Sequence, residues 1–256
     1  MADTLLAIFN SVTPFQERVL VALIGGLIPA LIWLFFWLRE DECKNQDTVA
    51  YMCEPEPKPM VFLTFITGMI MVPAALFLER AVYPFVAGMG LIIAWSFIEE
   101  VLKLFAYWFI NARSKFINEA TDPAIYMVTA ALGFAAAENS FFLYQALSLG
   151  VPLDSAFGGQ FLRFIGASLL HVGASGILGI FIGLAFFRSR FVRLLAILIG
   201  ITLATGLHVI FNKLIIFAPH TETLRVFSFV WVLGLGVIIL FERLKELAPY
   251  HAQKYE

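Results

Sequence analysis

Charged residues are scarce in this chain. Only 14% of its 256 residues are Asp, Glu, Lys or Arg and 61% are hydrophobic, whereas soluble domains usually carry about 25% charged residues. Polar side chains are too few to cover the folded chain in water, so the composition indicates that lipid surrounds most of it. The formal net charge of −2 lacks the basic character of nucleic-acid-binding proteins, and we expect no nucleic-acid partner.

The chain also lacks a basic segment at its N-terminus and has only two cysteines. Because Asp3 precedes the first basic residue, Arg18, the N-terminus does not resemble a cleaved signal peptide. Cys43 and Cys53 both fall in the first predicted loop. They are reduced thiols if that loop is cytosolic, whereas a disulfide would place the loop outside.

Seven apolar runs are long enough to cross a bilayer. A helix needs about 20 residues to span the hydrocarbon core, and runs of this length exclude barrel strands. The loops between them are short, so we expect a single integral membrane domain over residues 1–256, an all-α polytopic helix bundle. The predicted spans are residues 19–38, 60–79, 84–110, 124–149, 161–187, 193–217 and 224–242.

Lysine and arginine are unevenly distributed between the two sides of the predicted bundle. Eleven lie in the loops after spans 1, 3 and 5 and in the C-terminal tail, and four lie in the N-terminal tail and the loops after spans 2, 4 and 6. Because basic residues concentrate on the cytoplasmic side, the bias predicts a multi-pass cell-membrane protein with its N-terminus outside and its C-terminus in the cytoplasm.

Ionisable residues inside the spans are few, and such residues are functional-site hypotheses by default. At about 1.5 Å per residue, those of spans 3 to 6 fall ~14–23 Å below the outer boundary, so four helices bring polar groups to one depth. Lys213 and Arg163 are better explained by snorkelling towards the interface. The other polar residues are Glu99, Glu100 and Lys103 in span 3, Glu138 and Asn139 in span 4, His171 in span 5, and His208 and Asn212 in span 6.

This residue set suits hydrolysis by an activated water. A buried glutamate can act as a general base, and imidazole and carboxamide groups can stabilise an oxyanion. No serine or cysteine lies in a nucleophile-elbow context, so water is favoured over a covalent intermediate. A divalent metal, as in a catalytic zinc site with two histidines, a glutamate and an open position, or two protonated histidines without metal would each balance the charges, and both remain open.

Four motifs, in order, resemble one family. They are EEVLK (99–103), GFAAAEN (133–139), His171 followed by GILG, and HVIFN (208–212). They resemble the PrsW family of intramembrane proteases, which is similar to the CAAX prenyl endopeptidases. The resemblance implies cleavage of a peptide bond in a membrane-anchored, single-span protein, with an anti-sigma factor as the type of substrate.

The resemblance also implies roles for individual residues. Glu99 is then the general base for water, and Glu100, Glu138 and His171 orient it or bind metal. His208 and Asn212 are then the oxyanion donors. The metal ligands, if a metal such as Zn²⁺ is present, are expected to be Glu138, His171 and His208, and a metal-free, glutamate-type mechanism is the alternative.

Two other classes of function remain as alternatives. Carboxylate–histidine chains also serve proton relays, so the chain could be a proton- or metal-coupled transporter or channel. The polar cluster could instead fix helix register in a non-catalytic membrane scaffold. Cleavage of a single-span protein separates the protease from both.

Overall fold

The computed structural model describes residues 14–40, 56–217 and 223–255. In these ranges the chain forms seven α-helices and no strand, which confirms the predicted all-α fold. The two cysteines lie outside the described residues. The helices are α1 (Pro14–Glu40), α2 (Lys58–Val82), α3 (Met89–Ile110), α4 (Asp122–Ser148), α5 (Leu153–Leu184), α6 (Arg190–Phe217) and α7 (Thr223–Tyr255).

Some helix ends differ from the predicted spans. The third span was expected from residue 84, but α3 begins at Met89 because residues 83–85 form a turn and Gly88 adopts φ 59°, a conformation that glycine tolerates. The fifth span was expected from residue 161, but α5 already begins at Leu153, after Pro152 with φ −55° at the N-cap. The segment 153–160, predicted as loop, is therefore helical.

Helix α4 is the centre of the bundle. Residues 121–136 are all buried, and α1, α2, α3 and α5 pack around α4. Close approach depends on glycine, since Gly133 lies against the backbone of Phe65 on α2 and Gly68 lies against the backbone of Ala130 on α4. Small residues at such contacts let membrane helices pack backbone to backbone.

The outer surface of the bundle is apolar. Five helical segments among the described residues are long and apolar enough to cross a membrane: 15–39, 58–82, 122–148, 166–184 and 190–216. Helix α3 is outside this set because three charged residues, Glu99, Glu100 and Lys103, lie near its middle. It nevertheless packs between α2 and α6. The seven-span count stays a prediction for α3 and α7.

Candidate active site

The polar face of α3 is the core of the site. Glu99, Glu100 and Lys103 are buried, together with Ser96 one turn earlier. Residues three and four apart share one face of a helix, so these side chains all point towards α4, α5 and α6. The buried charges of α3 therefore meet the polar groups of three other helices.

Glu100 is fully buried and accepts hydrogen bonds from three helices. Lys103 Nζ lies 2.6 Å from Glu100 Oε1, His208 Nδ1 lies 2.9 Å from the same oxygen, and Ser175 Oγ donates to Oε2 at 3.0 Å. Both carboxylate oxygens are occupied. Glu100 therefore fixes α3, α5 and α6 to one another and is the glutamate that Lys103 neutralises.

Lys103 joins the carboxylates to His171. Its Nζ is 2.7 Å from His171 Nδ1 and 3.8 Å from Glu99 Oε2. It lies 4.8 Å from the centroid of the Phe134 ring, which provides a cation–π contact. Its side chain is 0% exposed, so the ammonium is held entirely by the protein.

The two histidines lie close together and contact different glutamates. Their ring centroids are 5.2 Å apart with an interplanar angle of 81°. His171 Nε2 lies 3.2 Å from Glu138 Oε2, whereas His208 Nε2 lies 3.8 Å from Glu99 Oε2. The predicted meeting of polar groups from α3, α4, α5 and α6 is thus present in the structure.

Glu99 differs from its neighbour in having an unsatisfied oxygen. Its Oε2 is buried and has no hydrogen-bond partner among the described residues, although Lys103 and His208 each have a nitrogen 3.8 Å away. An unsatisfied buried carboxylate oxygen is costly. It also leaves a lone pair able to accept a proton from a water.

Hydrogen bonds between amide and hydroxyl side chains also join the helices around the site. Asn212 Nδ2 donates to Ser96 Oγ at 3.3 Å, which joins α6 to α3 one turn from the glutamates. Asn139 Nδ2 donates to Ser168 Oγ at 3.2 Å, which joins α4 to α5. Ser96 and Ser168 were not among the predicted site residues, because isolated serines in apolar helices carry no pattern of their own.

A fourth carboxylate near the site, Glu79, was also missed. It is partly buried one turn before the end of α2 and interacts electrostatically with Glu99, Glu138 and Lys103. Glu79 is the last residue of the predicted span 60–79 and was not among the predicted site residues. Lys213, by contrast, is exposed, in agreement with snorkelling, and the side chain of Arg163 lies outside the described part of α5.

The residues present fit a divalent metal by ligand type and spacing. Glu99, His171 and His208 are buried, and one ligand atom from each lies within 4.8 Å of the others. Two histidines and a carboxylate are a usual set for catalytic zinc, and Glu99 Oε2 is unsatisfied. This group contains Glu99 where the sequence analysis expected Glu138, so the choice of Glu138 as ligand stays a prediction.

A buried glutamate–histidine site inside a polytopic helical bundle has the groups that an intramembrane hydrolase requires. The model of the family described as "PrsW family intramembrane metalloprotease" matches residues 56–240, a range that contains every predicted site residue. Protease PrsW of Bacillus subtilis (strain 168) is 26% identical over 175 residues, which cover 65% of this chain and 68% of that protein. No solved structure matches the chain.

The chain therefore belongs to the PrsW family and is a multi-pass intramembrane protease. The resemblance seen in the four motifs is confirmed. The transporter, channel and scaffold interpretations receive no support from these comparisons.

Proposed function

We propose that this protein hydrolyses a peptide bond of a membrane-anchored, single-span protein with a water activated by Glu99. The observation that carries the proposal is the unsatisfied Oε2 of Glu99. Glu100, by contrast, has both oxygens engaged. Of the two adjacent glutamates, Glu99 is the one with a buried oxygen to which no described residue donates a hydrogen bond.

The chain supplies the groups that this reaction needs. Glu99 takes a proton from the attacking water, since a positioned carboxylate can act as a general base. The negative charge that develops on the carbonyl oxygen is stabilised by imidazole and by the amide of Asn212. Glu138 contacts His171 and Glu100 contacts His208, so each ring is held in a fixed orientation.

In the alternative in which the site holds a divalent metal, Glu99, His171 and His208 would hold it, and Glu99 would then be a ligand in place of the base. When bound, such an ion would polarise the water and the carbonyl as a Lewis acid. Removal of metal with a chelator, followed by elemental analysis and a cleavage assay, tests this. If activity falls in proportion to the zinc removed, the protein is a metalloprotease. Full activity in metal-free protein assigns the chemistry to Glu99 and the histidines alone.

The substrate and the orientation belong to the same proposal. A membrane-anchored protein of the anti-sigma-factor type fits a site within apolar helices.

We place the protein in the cell membrane with its N-terminus outside. A membrane-impermeant maleimide tests this on Glu246→Cys, in a chain that also carries Cys43→Ser and Cys53→Ser. The side chain of Glu246 is 63% exposed, so the thiol introduced by Glu246→Cys should be protected in intact cells and labelled after lysis.

The hydrolysis itself is tested in liposomes. Purified protein is reconstituted with a single-span substrate, and the products are identified by mass spectrometry. We expect two fragments from a cut within the membrane segment, and none with Glu99→Gln. Glu246→Gln is the matched control, because it removes a carboxylate far from the site and should cleave at the parental rate.

Two results would contradict the proposal. Folded parent protein that cuts no single-span substrate would argue against intramembrane proteolysis by this chain. Glu99→Gln that retains parental turnover would remove Glu99 from the role of base.

A further inference from the structure

The two site histidines have different neighbours at their Nδ1 atoms. Lys103 Nζ lies 2.7 Å from Nδ1 of His171, and Glu100 Oε1 lies 2.9 Å from Nδ1 of His208. An ammonium group only donates hydrogen bonds and a carboxylate only accepts them. Contacts of similar length therefore impose opposite requirements on the two rings.

The charge states of Lys103 and Glu100 follow from their own contact. Their Nζ and Oε1 atoms are 2.6 Å apart, and both side chains are 0% exposed. A buried pair at this distance is an ion pair, since either charge alone would be unfavourable in a buried site. Lys103 is thus the donor and Glu100 the acceptor.

We infer that the Lys103–Glu100 pair holds His171 and His208 in opposite neutral tautomers. His171 accepts a hydrogen bond from Lys103 at Nδ1, so its proton is on Nε2, which donates to Glu138 Oε2 at 3.2 Å. His208 donates from Nδ1 to Glu100, so its neutral form carries the lone pair on Nε2, 3.8 Å from Glu99 Oε2. Lys103 is a positioning residue that acts through His171.

This assignment divides the site into an acceptor side and a donor side. Glu99 and His208 Nε2 both offer lone pairs, and together they suit the binding and deprotonation of a water. His171 Nε2 carries a proton, so it is the imidazole that can donate a hydrogen bond to the carbonyl oxygen, while the departing amine takes the proton that Glu99 removed from water. The functional half of this inference rests on the proposed function, and it assigns to His171 the donor role that the family resemblance gave to His208.

The assignment also bears on metal binding. Lone pairs of Glu99 and His208 are available to an ion without rearrangement. His171 can join them only if it gives up its contact with Lys103 or with Glu138. We therefore expect added Zn²⁺ to shift the His208 resonances at lower concentration than those of His171.

Nitrogen NMR tests the tautomers directly, without substrate. The chain has four histidines, so ¹⁵N-histidine labelling of a chain carrying His220→Gln and His251→Gln leaves only the two site rings. In metal-free protein in micelles, we expect His171 to show a protonated Nε2 and an unprotonated Nδ1, and His208 to show the reverse. Substitution of either histidine assigns the signals.

The role of Lys103 is tested by variants. Lys103→Met should change the tautomer balance of His171 and lower kcat more than it raises KM, whereas Lys103→Arg keeps a donor and should preserve the tautomer. The matched control is Lys245→Met, which removes a lysine whose Nζ pairs with Glu242 at 2.9 Å and should change neither ring. If Lys103→Met does not fold, the spectra of Lys103→Arg and of the parent protein still show which nitrogen of His171 is protonated.

Specific results would overturn the inference. Both rings in the same tautomer, or a His171 spectrum unchanged in folded Lys103→Met, would contradict it. Because the spectra need no cleavage, opposite tautomers in a protein without protease activity would refute the proposed function and leave the tautomer assignment standing.

Discussion

Replacing Glu100 by glutamine should destabilise the protein far more than the same change at Glu99. The amide side chain in Glu100→Gln is nearly equal in volume but leaves the fully buried Lys103 ammonium without the carboxylate at 2.6 Å. Removing one partner of a buried ion pair costs about 3–5 kcal/mol. Glu99 Oε2 has no hydrogen bond to lose and lies 3.8 Å from Lys103, so Glu99→Gln should change the free energy of unfolding by less than about 1 kcal/mol.

The assay is equilibrium unfolding in mixed micelles as the mole fraction of denaturing detergent is raised. The intrinsic fluorescence of the five tryptophans reports the transition. Equal destabilisation by Glu99→Gln and Glu100→Gln would refute the reasoning. It would mean that both glutamates stabilise the Lys103 ammonium to the same extent. A smaller effect at Glu100 than at Glu99 would reverse their roles.

Three further predictions concern single contacts. Ser175→Ala removes a hydroxyl that donates to Glu100 at 3.0 Å and should lower the free energy of unfolding by about 1.5–3 kcal/mol, measured in the same micelles. Gly68→Leu drives a side chain into the backbone of α4 and should abolish folding, whereas Gly206→Leu, where an added Cβ meets nothing within 4 Å, should give a parental unfolding curve. Asn212→Ala should lower kcat about 10²–10³-fold if its amide stabilises the oxyanion, and an unchanged kcat in the liposome assay would remove it from that role.

Much of the site could be predicted because charged groups in apolar helices are rare and costly. Glu99, Glu138, His171 and His208 stand out for that reason alone, and depth counting along each span brought them to one level. The structure brings the same four together. Small residues likewise indicated close helix packing, which Gly68 provides against α4.

The rest depends on tertiary contacts that no local pattern encodes. The i, i+4 spacing of Glu99 and Lys103 favours a helical ion pair between these two residues, whereas Lys103 Nζ lies 2.6 Å from Glu100 and 3.8 Å from Glu99. His208 and Ser175, from two other helices, also contact the oxygens of Glu100. These contacts place Glu100, and not Glu99, beside the ammonium of Lys103. Glu79 interacts electrostatically with Glu99 because α2 packs beside α3. This packing could not be predicted from the position of Glu79 at the end of a span.

We expect Glu99 to activate a water and not to attack the peptide carbonyl itself. A single turnover in ¹⁸O-water, with enzyme in excess over a single-span substrate, tests this most directly. Water attack predicts ¹⁸O in the new carboxylate of the product and none in the enzyme peptide that contains Glu99. Recovery of ¹⁸O in the Glu99 carboxylate would reveal an anhydride intermediate and would contradict the activation of water by Glu99.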